Sequence, residues 1–231
     1  MSDKTGTVVI IPAYRRIEYT SKCLSSILHA QSYGKDVCFY LVDDGSNDGT
    51  TELFHASDLP NKHIVTHKEN IGLRSTLIDA FAFARDFEFM VKMDNDCKVP
   101  QNWLTDIENF LKSGWVDIVS PNVIPSNAAY TYGKKEQSDE PGLRRSKIVG
   151  GLWGMRTELL DDITFEKHEV SGIKGAFHLL NQIILEKDPR VGWLSEVSVQ
   201  DIGHWSGEHP EHITSEEHRA YSAEVGRNVA W

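Results

Sequence analysis

Short, β-branched apolar runs alternate with segments of helical periodicity through the first half of this chain, and this alternation restricts the fold more than any other feature. Thr7-Val8-Val9-Ile10-Ile11, stopped by Pro12, suits a central strand better than a helix. Glu18 to Ala30 then carries Cys23, Leu24, Ile27 and Leu28 at helical spacing. Val37–Val42 reads as a second strand, and Asp48 is placed to cap a helix through Leu53 and Phe54. His63–Thr66 is a third strand, followed by a helix over 73–85. Phe87–Met93 supplies a fourth strand. Pro100 opens a helix carrying Trp103, Leu104, Ile107, Phe110 and Leu111, which Gly114 ends, and Val116–Ser120 is a fifth strand. Strands and helices in this order predict an α/β fold with a doubly wound, mainly parallel sheet.

The pattern changes after Pro121. Ser126 to Arg145 is polar, mixes Lys134, Lys135, Arg144 and Arg145 with acids, and reads as a long functional loop. Strand character returns over Lys147–Leu152, a helix over Gly172–Glu186, and short strands over Val191–Leu194 and Val197–Ile202. Ser215–Gly226 begins with a capping box and predicts a terminal helix. With no internal repeat or low-complexity linker, the 231 residues are expected to form one domain, with halves at about 1–120 and 121–231.

Composition narrows the class. No apolar stretch approaches the roughly 18 residues a membrane span needs. The three cysteines, Cys23, Cys38 and Cys97, are odd in number and widely spaced, as expected of reduced thiols. The start of the chain has no signal-peptide pattern, so a cytoplasmic location is expected. A net charge of −10 opposes broad binding to nucleic acid or anionic lipid.

Asp94-Asn95-Asp96 follows the fourth strand. Two carboxylates one residue apart can share a hard divalent cation, and Mg²⁺-type ions typically complete their shell with phosphate oxygens. In open α/β sheets, ligands gather outside the carboxyl ends of the strands. A solvated turn would account for the triplet taken alone. Three more strand ends carry polar signatures: Pro12-Ala13-Tyr14-Arg15, Asp43-Asp44-Gly45-Ser46-Asn47-Asp48-Gly49-Thr50, and Asn70-Ile71-Gly72.

This ordered set resembles the family 2 glycosyltransferases of the GT-A (Rossmann-like) fold. VVIIPAYRR, LVDDGSNDGT, HKENIGLRSTLIDAFAFA and FMVKMDNDCKVPQNWL match segment by segment over residues 7 to 120, with a looser match from Gly150 to His204. The resemblance implies a nucleotide-sugar half followed by a C-terminal acceptor-side extension. It implies that Pro12, Ala13, Tyr14 and Arg15 line the base pocket, with core packing the alternative for Tyr14. Asp43 or Asp44 would accept hydrogen bonds from a uracil-type base or ribose, or else serve as turn and capping residues. Asn70 and Gly72 would admit the nucleotide backbone closely. Arg74 would reach the diphosphate, or be a solvated helix residue. Asp94 and Asn95 would face the ribose, while Asp94, Asp96 and a late histidine, matched by His204, would bind Mn²⁺ or Mg²⁺. Gly150-Gly151-Leu152-Trp153-Gly154-Met155-Arg156 resembles the segment whose glycine pair opens the acceptor half, with Gly151 admitting a sugar closely and Trp153 either stacking on it or simply buried.

One departure stands out. Inverting members carry an acid on the acceptor-side helix as proton acceptor, and that position falls near Ala176-Phe177-His178, where no acid is present. Glu169 or His178 is therefore the candidate base, or no protein base acts; inversion and retention stay open. The expected reaction is transfer of a sugar from a nucleotide diphosphate, UDP foremost, to a hydroxyl of a glycan or glycoconjugate. A hydroxymethylated base in DNA, approached through Arg144 and Arg145, is the alternative acceptor. A nucleotidyltransferase would show a glycine-rich basic loop after strand one, where Pro12-Ala13-Tyr14-Arg15 stands instead. An inactive nucleotide-sugar binder is the remaining rival.

Overall fold

A computed structural model describes residues 4–124, 136–137, 143–145, 151–165 and 174–202; side chains are described for 4–122, 151–165, 179–194 and 196–202. The expected terminal helix, Glu169 and His204 lie outside these residues, as do most of the 126–145 loop and of the 147–152 strand.

The alternation is realised as β1 (Thr7–Ala13), α1 (Ile17–Ala30), β2 (Val37–Asp43), α2 (Thr50–Ala56), β3 (Lys62–Thr66), α3 (Leu73–Ala84) and β4 (Phe89–Met93). There follow β5 (Cys97–Lys98), α4 (Trp103–Ser113), β6 (Ile118–Ile124), β7 (Glu136–Gln137) and β8 (Leu143–Arg145). The described chain closes with β9 (Leu152–Arg156), a 3₁₀ turn at Thr157–Leu160, α5 (Lys174–Lys187) and β10 (Val191–Asp201). All the strands join one sheet in the order β3-β2-β1-β4-β9-β6-β10-β8-β7, with β5 paired to β10. The pairings run β3, β2, β1, β4, β6 and β10 in one direction, and β9 enters antiparallel between β4 and β6. The sheet is thus mainly parallel.

Both faces of the sheet are covered, which is why β1 and β4 are buried along their whole length and, Thr7 and Lys92 apart, apolar rather than alternating. Val9 and Ile11 point into the layer built by Cys23, Leu24 and Ile27 of α1, Phe54 of α2, and Trp103, Ile107 and Leu111 of α4. Val8 and Ile10 face the opposite layer, with Leu77 and Phe81 of α3 and Leu179 and Ile183 of α5. Gly154 in β9 lets α4 approach closely, since a Cβ there would meet Ile107 Cγ2 at 2.7 Å.

Several boundaries differ from expectation, each for a physical reason. β1 continues through Pro12 to Ala13 because β4 pairs only as far as Ile10, so the missing N–H removes no bond to β4. β6 likewise begins at Ile118 and runs through Pro121, since its pairing with β9 ends at Val119. The two short strands expected near the end are a single β10 whose pairing with β6 shifts register between Leu194 and Ser198. Asp48 does not cap α2 from the N-cap position, which Gly49 holds. Its carboxylate accepts from Thr50 N at 3.1 Å, Thr50 Oγ1 at 2.6 Å and Ile17 N at 3.2 Å, tying the starts of α2 and α1 together.

Candidate active site

The strand order 3-2-1-4 reverses direction between β1 and β4, and such a switch point opens a crevice at the carboxyl ends of the strands. The four polar signatures meet there. Asp44 N donates to Ala13 O at 2.8 Å, and Arg15 N donates to Ser46 Oγ at 2.7 Å, joining the first two loops. Asp43, buried, accepts from Ser46 N at 2.9 Å and Thr51 Oγ1 at 2.5 Å. Asp44, also buried, gathers the third loop: its Oδ1 lies 2.7 Å from His67 Nδ1 and 3.0 Å from Ile71 N, and its Oδ2 accepts from Gly72 N at 3.0 Å. Gly45, at φ 75°, passes so close that a Cβ would meet the Glu69 carbonyl carbon at 2.5 Å. Both carboxylates therefore bind protein donors first, and any contact to a ligand uses the lone pairs left over.

Around this frame, Pro12 and Ala13 are buried at the end of β1, while Tyr14 is 40% exposed with the Arg15 guanidinium 5.0 Å above its ring. Core packing is thus not the role of Tyr14. Asn70 Oδ1 accepts from Gly72 N at 2.8 Å, and Gly72 (φ 85°) has open space where a Cβ would stand. Arg74, in the first turn of α3, is only 7% exposed, contrary to a solvated helix residue.

Asp94 and Asp96 lie just beyond β4. Asp94 pairs with the Lys92 ammonium, which also donates to Gly151 O at 3.2 Å; Asp94 N donates to the same carbonyl at 3.3 Å. Asp96 Oδ2 accepts from Arg16 Nη1 at 2.9 Å. Asn95 Nδ2 donates to Thr20 Oγ1 at 2.8 Å and so braces the turn between them. β5 pairs with the end of β10, setting Asp201 opposite Cys97, and Ile202 N donates to Asp96 O at 2.9 Å. Burial pushes the Asp96 carboxyl up to about 7, reinforced by the negative charges of Asp94 and Asp201, despite the opposing pull of Arg16 and Lys92. Among the described residues, burial and the neighbouring carboxylates thus outweigh the pull of Arg16 and Lys92 at Asp96.

A hard divalent cation would favour the ionised form of Asp96 that burial opposes, and Asp94 and Asp96 are the residues that would hold it. Among the described residues, no group of three or more histidine, cysteine, aspartate or glutamate side chains is arranged to hold a metal ion. The expected third donor, His204, lies outside them, two residues along from Ile202.

On the acceptor side, the structure selects between the two readings of Trp153 and gives Gly151 a protein neighbour. Trp153 is 3% exposed, with its ring 6.2 Å from Phe81 in the core beneath α3, so it packs rather than stacking on a sugar. Gly151 makes its close approach to a protein group, because a Cβ there would collide with Asp94 Oδ2. Arg144 and Arg145 fall in β8, paired with Trp193 and Gly192 of β10, and His178 falls within α5. Sequence reasoning missed Lys92 and Arg16. A lone lysine in a buried strand, two residues before an aspartate and hence on its face, was the available signal for the first. The doubled arginine after Tyr14 was the signal for the second.

The sequence profile of glycosyl transferase family 2 matches residues 8–180, and the chain belongs to that family. Glycosyltransferase AglE of Haloferax volcanii is 33% identical over 121 residues, covering 50% of this chain and 38% of that protein. The chain therefore spans well under half the length of that relative. Among solved structures, S. aureus TarS 1-349 in complex with UDP-GlcNAc matches with a TM-score of 0.63 at 20% identity, over 85% of this chain and 58% of that one. GalNAc-T7 with UDP, GalNAc and Mn²⁺ matches with a TM-score of 0.66 at 14% identity, over 90% and 45%. These likenesses establish the GT-A fold. Among the described residues, no helix is long and apolar enough to cross a membrane.

Proposed function

We propose that this chain is a metal-dependent glycosyltransferase that moves a sugar from a nucleoside diphosphate, UDP foremost, to a hydroxyl acceptor on a glycan or glycoconjugate. The observation that carries the reading is the Asp94–Asp96 pair at the β1/β4 switch point, with Asp96 buried against Asp94 and Asp201. UDP and Mn²⁺ in GalNAc-T7, and UDP-GlcNAc in TarS, lend support to the donor class.

The base and ribose would lie along the Tyr14 and Asp43–Ser46 loops, with the diphosphate toward Asp94–Asp96. Arg74, buried in the first turn of α3, would reach the diphosphate where α3 presents its N-terminal end. Mn²⁺ or Mg²⁺ held by Asp94 and Asp96, with His204 as the third donor, would supply charge neutralisation for the departing nucleotide. Asp94 keeps its orientation through Lys92, and Asn95 through Thr20. On the acceptor side, Glu169 or His178 would take the hydroxyl proton.

Calorimetric titration of UDP with and without Mn²⁺ tests the reading. Metal-dependent binding, lost in Asp96→Asn, is expected. If no nucleoside diphosphate binds in a metal-dependent way, the reading fails.

A further inference from the structure

We infer that Arg16 is an exchangeable counter-ion: it competes with a divalent cation for Asp96, and turns to the donor diphosphate when the cation prevails. The inference rests on the reading of this sheet edge as a metal-dependent donor site, and it assigns a coupling role to a residue outside the expected ligand set.

The two cations at the acidic pair are held very differently. Lys92 rises from the middle of β4, is 3% exposed, and divides its ammonium between Asp94 and Gly151 O. It is built into the sheet and has nowhere to go. Arg16 stands in the loop between β1 and α1, at the residue immediately before the helix. Its guanidinium, with five N–H donors, contacts Asp96 through Nη1 alone at 2.9 Å, while the buried Nε has no hydrogen-bond partner. The rest of its support is the Tyr19 ring, 4.4 Å below the guanidinium carbon. A stacked, singly bonded arginine is an under-used clamp, and guanidinium forks bind phosphate oxygens in pairs.

Only the side chain needs to move. Arg15 and Arg16 both sit in the left-handed region, at φ 57° and 65°, a strained double bend for residues with a Cβ. The bend is pinned on either side, by Arg15 N to Ser46 Oγ at 2.7 Å and by Ile17 N to Asp48 Oδ2 at 3.2 Å. The backbone therefore holds the arginine root at the mouth of the switch-point crevice, facing the acids. When Asp96 gives its oxygen to a dication, Arg16 loses its acceptor and meets a like charge. The diphosphate, arriving with that dication, offers the nearest new acceptors. The same residue thus opposes metal binding alone and favours binding of metal and nucleotide together.

Arg16→Met tests this by making the two affinities move in opposite directions. In calorimetry at low salt, Mn²⁺ alone should bind Arg16→Met about tenfold more tightly than the natural protein, the size of one charge-assisted hydrogen bond removed from competition. With Mn²⁺ saturating, UDP should bind the variant about tenfold more weakly. A purely structural brace would weaken both. Unchanged or weaker Mn²⁺ binding in the variant overturns the exchange, even where the natural protein shows Mn²⁺-dependent UDP binding. Absence of that dependence in the natural protein overturns the donor-site reading and the exchange with it. Should Arg16→Met fail to fold, the Nε–Hε resonance of Arg16, assigned against Arg16→Lys, gives the same decision. It should shift on titration with Mg²⁺ and again with UDP; a resonance unmoved by both refutes the exchange.

Discussion

Gly151→Ala isolates the link between the two halves of the site, because the added methyl has one neighbour of consequence. The Gly151 backbone lies outside the left-handed region, so alanine meets no conformational penalty there, and the new Cβ strikes Asp94 Oδ2. The Asp94 carboxylate is short and its other oxygen is held by Lys92, so turning Oδ2 away from the methyl weakens that ion pair. A lost hydrogen bond to a charged group costs about 1.5–3 kcal/mol when buried. The Asp94 side chain is 37% exposed and water recovers part of this, so about 1 kcal/mol is the expected loss of stability. For a chain of this size, that corresponds to a fall in Tm of about 2–4 °C. The effect on metal should be larger, since disturbing the support of a ligand typically costs about 10- to 100-fold in affinity. Gly154→Ala is the companion control: its Cβ meets Ile107 Cγ2 at 2.7 Å in the core, so it should cost about 1–3 kcal/mol by overpacking yet leave Mn²⁺ affinity alone. Thermal melts and Mn²⁺ calorimetry on both variants decide the matter. A Gly151→Ala protein with unaltered Mn²⁺ affinity would refute the claim that this glycine exists to make room for Asp94.

Other expectations follow from single contacts. Asp117 clasps Arg190, accepting from its Nε at 2.9 Å, its backbone N at 2.8 Å and its Nη2 at 2.6 Å; burial alone would raise the carboxyl, yet these bonds hold it below its ordinary value. A depressed carboxylate stabilises the fold above the unfolded value near 3.9 and loses that contribution as pH falls through the lower folded value. Asp117→Asn should therefore melt about 2–4 °C lower at pH 7, the equivalent of about 1 kcal/mol for a half-exposed partner, with the gap closing below about pH 4; a gap unchanged at pH 3 would contradict the assignment. Trp153→Phe should cost about 1–3 kcal/mol in denaturant unfolding, as a trimmed core residue, while the KM for acceptor stays at its natural value. A raised acceptor KM with unchanged stability would return Trp153 to the sugar. If a protein base acts, Glu169→Gln or His178→Gln should lower kcat by about 10²- to 10⁴-fold with UDP affinity retained; full activity in both would leave proton transfer to a group other than these two.

Much of the donor half was legible because its signals are local. β-branched runs, helical spacing and glycine stops each act within one element, and β1 to α4 formed close to where those signals lie. The acceptor half was less legible because its contacts are long-range. β9 is Leu152-Trp153-Gly154-Met155-Arg156, and the segment Gly150–Arg156 resembled a substrate motif; within it Gly154 admits α4 and Gly151, just before the strand, lies against Asp94. Nothing within five residues reveals that such a strand inserts antiparallel between β4 and β6, since its partners are about sixty residues before it and about thirty residues before it in the chain.

The same distinction explains what the Asp94–Asp96 pair alone could not show. Spacing placed two carboxylates beyond a strand, but the charge balance that separates a site from a solvated turn comes from elsewhere: Lys92 from within the sheet, Arg16 from across the crevice, and Asp201 from the end of β10. A turn in water needs no such company. Two aspartates whose neighbours include a third acid, and whose cations do not offset the burial of Asp96, occupy an arrangement that costs stability unless something positive completes it. Folding alone would favour removing one of these acids. On the donor-site reading a dication would offset the burial of Asp96, and Lys92 and Arg16 hold the two carboxylates in place to receive it.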